Sequence, residues 1–155
     1  METYDPQKAA RVWQRVQAGT PAGTDAQSLL SLIAEEWTDA ATYLSLSRRY
    51  QGGIRNTLYR MFQEEQTHTA CLKGIYTLIT GAHPKVSAVP PSQEPAVVIL
   101  RRCYGREMRS LAQYEARGND PEYGQVFLKL AAQEREHCKT ILQLLGSIPT
   151  NGRTP

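Results

Sequence analysis

The chain has 155 residues, 41% apolar and 21% charged, with a formal net charge of +3 and interleaved signs. That length makes one domain with a single sizeable core, and so small a charge argues against nucleic acid or an anionic membrane as partner. No apolar run approaches the ~20 residues of a membrane span, and Met1 to Pro6 lacks a signal peptide's apolar core. Three cysteines (Cys71, Cys103, Cys138) without any C-x-x-C argue against a disulfide framework or a zinc or rubredoxin-type site. A reducing cytoplasm is the expected setting.

Asp5-Pro6 reads as an N-cap followed by proline in the first turn. It opens a short amphipathic N-terminal helix (within residues 1–20) with Ala9, Val12, Trp13 and Val16 on one side, ending near Gly19. Thr20 to Thr24 is a turn-rich linker. The spacing then predicts a helix from about Asp25 to Tyr50, with Leu29, Ile33, Ala40, Tyr43 or Leu44, and Ser47 in its stripe, broken by Gly52-Gly53. A second runs from about Ile54 to Thr80 through Leu58, Met61, Leu72, Ile75 and Ile79, and Gly81 stops it. Four prolines between Ala82 and Pro95 exclude a helix there, so this stretch is a long crossover.

A third helix reaches about Arg117 with Leu100, Tyr104, Leu111 and Tyr114 inward. Asn119-Asp120-Pro121 is a turn and a second cap-plus-proline start. The fourth helix runs to Leu145 with Tyr123, Phe127, Leu130, Ile141 and Leu144 in its stripe, stopped by Gly146, and 147–155 form a disordered tail. No stretch alternates as a strand does. The expected fold is all-α: a four-helix bundle over 25–146, made of two helix hairpins joined by a long crossover, with the N-terminal helix packed outside.

The polar residues on those stripes are unusual. Gln63-Glu64-Glu65-Gln66-Thr67-His68 has a counterpart in Gln133-Glu134-Arg135-Glu136-His137, and in each a Glu lies three residues before a His, one helical turn away on the same face. With 11 glutamates in 155 positions, a given His has such a Glu by accident about once in fourteen. The pairs also belong to an internal repeat. Glu36-x6-Tyr43 matches Glu107-x6-Tyr114, and Glu65 and Glu134 follow Glu36 and Glu107 by 29 and 27 residues. All six residues continue core-facing stripes, whereas Glu35, Glu64 and Glu136 are rotated away by ~100° or ~200°.

Four carboxylates in an apolar bundle cannot remain ionised and unpaired, since each costs several kcal/mol even after relaxation. No Lys or Arg shares their stripe positions. Two divalent cations would balance four negative charges, with one neutral imidazole for each ion. Hard oxygens with one nitrogen per metal suit iron or manganese and leave room for solvent or an oxygen species between them. Two alternatives stand beside this: solvated polar pairs on a helix surface, and protonated glutamates hydrogen-bonded in a metal-free core.

On these residues the chain, over roughly Ser28 to Leu145, resembles the ferritin-like di-iron carboxylate proteins and, among them, the rubrerythrin-like branch, whose pattern is one Glu from each of two helices and a Glu-x-x-His from each of the others. The resemblance implies metal ligation by Glu36, Glu65, His68, Glu107, Glu134 and His137, with Glu65 and Glu134 as bridging or terminal carboxylates. Tyr43 and Tyr114 look like the family's tyrosines that hydrogen-bond carboxylates across the bundle; otherwise they are ordinary core aromatics. It implies two iron ions (manganese being possible) and an oxidoreductase that reduces peroxide or dioxygen, as in oxidative-stress protection. Two departures stand out. The rubredoxin domain is missing, which implies a separate redox donor protein, and Ser110 stands where rubrerythrins carry a further glutamate. A symmetric homodimer is expected. A ferroxidase of an iron-storing cage and a metal-free structural bundle are the alternative functions.

The remaining features read more plainly. The three cysteines are small buried apolar residues, or thiols close enough to assist redox chemistry. Arg101, Arg102, Arg106 and Arg109 form a solvated face, or a surface for an acidic donor. Trp13 and Trp37 are packing residues, and His83 is exposed in the crossover.

Overall fold

The computed structural model describes residues 24–149 together with Pro6, Gln7, Ala10 and Arg11. Four helices account for most of this: α1 (Ala26–Ser47), α2 (Gly52–Thr80), α3 (Ala96–Ala116) and α4 (Gly124–Ser147), with no strand among the described residues. No helix there is long and apolar enough to cross a membrane. The predicted N-terminal helix, Pro6, Gln7, Ala10 and Arg11 apart, and residues 150–155 of the predicted 147–155 tail fall outside the described residues; the tail's start is ordered instead, with Ser147 helical and Ile148 buried against the core.

Each helix begins and ends for local reasons. The Asp25 carboxylate accepts from Ser28 N (3.0 Å) and so caps the N-terminus of α1. α1 stops at Ser47, three residues short of the predicted Tyr50, and the chain reverses through 48–51. Gly52 adopts φ +60° at the start of α2, so the two glycines open this helix instead of lying before it. Gly81 ends α2 in the left-handed conformation (φ +72°), its N–H donating to Thr77 O, as its position predicted.

Asp120 also differs from expectation. Its side chain accepts from Glu122 N, Tyr123 N, Thr24 N and Thr24 Oγ1 at 2.8–3.0 Å. It therefore caps a turn that precedes α4 and ties that turn to the start of α1. The helix begins at Gly124 in consequence, and it runs through Gly146 to Ser147, with Ile148 buried.

The chain topology follows from which helix ends share a core. The first part of α1 (Leu29, Ile33), the last part of α2 (Leu72, Ile79), the end of α3 (Leu111, Tyr114) and the start of α4 (Phe127, Leu130) form one apolar cluster. The end of α1 (Tyr43, Leu46), the start of α2 (Leu58, Met61), the start of α3 (Ile99, Leu100) and the end of α4 (Ile141, Leu144) form the other. α1 and α2 are thus an antiparallel hairpin and α3 and α4 a second one, and the crossover 82–95 runs the length of the bundle between them.

Backbone groups of the crossover find partners on the first hairpin, in α1 and in the turn after it. Arg49 donates to Ser92 O and Glu94 O (2.6 and 2.7 Å), while Val89 N donates to Thr38 Oγ1 (3.0 Å). The predicted core is buried apart from Tyr104, which is half-buried, and on α1 it is Tyr43 rather than Leu44 that enters it.

The α3–α4 turn requires glycine. A Cβ on Gly124 would lie 2.3 Å from Gly118 O, a backbone atom that cannot swing aside, whereas one on Gly74 in exposed α2 meets nothing within 4 Å. Gly124→Ala is expected to destabilise by about 1–3 kcal/mol, and Gly74→Ala to stabilise by about 0.5–1 kcal/mol. Urea unfolding of both variants checks this, and equal effects would contradict the packing described.

Candidate metal centre

Between the two apolar clusters lies a polar level. Glu36 on α1, Glu65 and His68 on α2, Glu107 on α3, and Glu134 and His137 on α4 are all buried, none more than 2% exposed. The structure brings all six predicted residues together. They form two overlapping sets, Glu36, Glu65, His68 and Glu134 against Glu65, Glu107, Glu134 and His137, each offering ligand atoms within 4.8 Å of one another.

Glu65 and Glu134 belong to both sets because each divides its oxygens. Glu65 directs Oε2 to His68 Nδ1 (3.2 Å) and Oε1 to His137 Nδ1 (2.7 Å). Glu134 directs Oε1 to His68 Nδ1 (2.8 Å) and Oε2 to His137 Nδ1 (3.4 Å). Glu36 and Glu107 complete the two sides, at 3.2 Å from His68 and 3.5 Å from His137. The imidazoles stack with centroids 5.6 Å apart.

Apart from the His68 Nδ1–Glu36 Oε2 hydrogen bond (3.2 Å), these atoms face one another without one. All four oxygens of Glu65 and Glu134, and His137 Nδ1, are buried with no hydrogen-bond partner. Buried carboxylates are normally satisfied, and leaving one unsatisfied costs on the order of 1–3 kcal/mol or more. Here the lone pairs converge on a common space, so the donor set fits a cation: hard oxygens and imidazole nitrogens, with two carboxylates able to bridge two positions. The buried Glu and His groups could hold metal ions.

The surroundings hold this arrangement in place. Tyr43 on α1 donates to Glu107 Oε1 on α3, and Tyr114 on α3 donates to Glu36 Oε1 on α1 (2.6 Å). Both tyrosines are fully buried, so the expected role across the bundle holds along with their packing role. On the outer side of each imidazole, His68 Nε2 meets Gln133 Oε1 (2.7 Å) and His137 Nε2 meets Glu64 Oε2 (2.8 Å). An acceptor at Nε2 keeps the proton there and leaves the Nδ1 lone pair facing inward, as a ligand requires.

Four contributors were not expected. Glu64 and Gln133 precede the Glu of each Glu-x-x-His, and rotation away from the core puts them where the outward imidazole nitrogen points. Position within the motif was the available signal. Asp39 is buried one turn beyond Glu36, and Arg106 holds it through Nε and Nη2 (2.6 and 2.5 Å). Arg106 is therefore not part of the solvated face that Arg101, Arg102 and Arg109 form, because a buried carboxylate across the helix interface draws it in. Burial pushes Asp39 up to about 7 against the pull of Arg106.

Two other expectations change. Trp37 is exposed, with Lys73 Nζ 4.1 Å from its ring centroid, so it does not pack in the core; Trp13 lies outside the described residues. The cysteines are free thiols, and burial raises all three, Cys103 to about 12. They are thus protonated at neutral pH, and Cys103 and Cys138 are buried as expected, whereas Cys71 is half-buried. His83 is exposed.

Without cations, protons must balance the site. Burial, then repulsion from Glu65, holds Glu36 and Glu107 well above the usual carboxylate range. Burial alone would pull both imidazoles down, but close carboxylates outweigh it and hold His68 and His137 far above their ordinary value. Burial also opposes charge on Glu65 and Glu134, yet their neighbours keep both below the usual range. Protons on Glu36, Glu107, His68 and His137 offset the site's charge, as two divalent cations would.

Groups raised on folding stabilise fully below their ordinary values, 4.5 for Glu and 6.5 for His, and this contribution is lost as pH rises through the folded values. The metal-free fold should therefore melt lower at about pH 8 than at about pH 6, and divalent cations should raise the melting temperature more at the higher pH. Scanning calorimetry with and without Mn(II) measures both, and a cation effect independent of pH would contradict this balance.

Comparison of the chain with known protein families, curated proteins and solved structures found no match.

Proposed function

We propose that the chain is a di-iron oxidoreductase of the ferritin-like, rubrerythrin-like kind, which reduces peroxide or dioxygen with electrons from a separate redox protein. One observation carries this reading: Glu65 and Glu134 each offer one unpartnered oxygen to either side of a sealed centre. A site for one ion needs no such division.

Bound iron supplies one-electron steps between the 2+ and 3+ states and a position for a small oxidant. The chain's own residues do the rest. Glu65 and Glu134 set the separation of the two positions, and Glu36 with His68, and Glu107 with His137, complete each. Tyr43 and Tyr114 fix the rotamers of Glu107 and Glu36, so the outer carboxylates stay aimed inward as charge changes. The apolar clusters on either side keep bulk water from the centre, so charge on the site is felt strongly. Net charge is restored by the four carboxylates against two 2+ ions.

Anaerobic loading with Fe(II) should give two irons per chain, and Glu65→Ala and His137→Ala should each weaken iron binding by about tenfold or more. With a chemical reductant, the loaded wild type should consume peroxide over many turnovers. Retention of two irons by both variants would remove this reading. Native mass separates the enzyme, expected as a symmetric dimer, from a ferroxidase built into a storage shell of many copies.

A further inference from the structure

Resting on the two-cation reading above, we propose that the two positions are inequivalent, and that Glu64 makes the one beside His137 the tighter and the first to fill. The bundle's internal repeat makes the inward-facing ligands match: each side has one imidazole Nδ1, one outer carboxylate tied to a tyrosine, and half of Glu65 and Glu134. The match fails one atom further out. His137 Nε2 is hydrogen-bonded to a carboxylate, Glu64 Oε2 (2.8 Å), whereas His68 Nε2 is hydrogen-bonded to an amide, Gln133 Oε1 (2.7 Å). These two residues occupy the same position in their motifs, the one before the Glu of Glu-x-x-His.

A carboxylate accepts the imidazole proton more strongly than an amide does. It pulls that proton away from the ring and raises the electron density at the opposite nitrogen, so Nδ1 of His137 is the better donor to a cation. It also gives the His137 side one more negative charge. Arg60 pairs with Glu64 at 3.9 Å, but from an exposed side chain where solvent screens the attraction, so it offsets that charge only in part. Asp39 and Arg106 form a separate ion pair between α1 and α3. Glu64 is thus a positioning residue, acting on the cation through His137.

Zn(II) titration of the metal-free protein tests this, followed by NMR of isotope-labelled histidine. The chain has three histidines, and exposed His83 in the crossover serves as an internal reference. With up to one equivalent of Zn(II), the His137 signals should shift while those of His68 remain metal-free; the second equivalent should shift His68. Glu64→Gln, nearly isosteric and on a half-exposed side chain, should weaken the His137 position by about tenfold and erase the order. The exchange Glu64→Gln with Gln133→Glu should reverse it, a result that loss of folding or of packing cannot produce. Parallel shifts of both imidazoles in the wild type, or an order unchanged by the exchange, would overturn the inference. If neither histidine responds to Zn(II), the two-cation reading itself fails.

Discussion

Four carboxylates confront two imidazoles in the middle of an apolar bundle, and the rest of the structure is arranged around that confrontation. Glu65 and Glu134 cannot reach water, and no lysine or arginine touches them. Their burial is tolerable only with positive charge at the centre, as protons or as metal ions. The apolar clusters, at opposite ends of the bundle, then have two roles. They supply the burial energy that holds the helices together, and they hold the polar level in a low-dielectric space where its charge must be balanced locally.

The contacts around the centre explain how it keeps its shape while the charge goes unsatisfied. Each outer carboxylate takes a tyrosine hydroxyl from the opposite hairpin, so Tyr43–Glu107 and Tyr114–Glu36 tie α1 to α3 twice, in opposite directions. Each imidazole takes an acceptor from the opposite hairpin, so Glu64–His137 and His68–Gln133 tie α2 to α4 twice. The hairpins are joined in sequence only by the proline-rich crossover. These four hydrogen bonds therefore link the hairpins at the level where ligand geometry matters. The Asp39–Arg106 ion pair adds a fifth link from α1 to α3. Such rigidity suits a site that must hold its ligands in place as charge on the centre changes.

The near symmetry of the site is a product of the repeat, and its departures are where function can be tuned. Glu64 against Gln133 and Asp39 against Ser110 differ within positions the repeat would otherwise equate. Glu64 and Gln133 lie one contact away from the inward-facing atoms, and Asp39 is held by Arg106, the residue before Glu107. These differences alter hydrogen-bond strength and local charge without altering which atoms face the centre.

The amino-acid sequence by itself determined the four helices of the bundle, the crossover and the six inward residues. Those depend on periodicity, on proline and on the i, i+3 geometry of a helix, all of which are local. Gly81 as a stop was equally legible, since it acts within one turn. The tertiary structure alone decided what crosses between helices. It turned Tyr43 rather than Leu44 inward, tied Asp120 to Thr24 and so delayed the start of α4, and drew Arg106 from the surface to Asp39. It also brought Glu64 and Gln133 to the outward nitrogens of histidines on the opposite hairpin. Each of these contacts joins residues far apart in the chain, and their strength depends on burial and on a partner's position. Helical periodicity carries neither, because it reports which way a side chain leaves its own helix and not what it meets there.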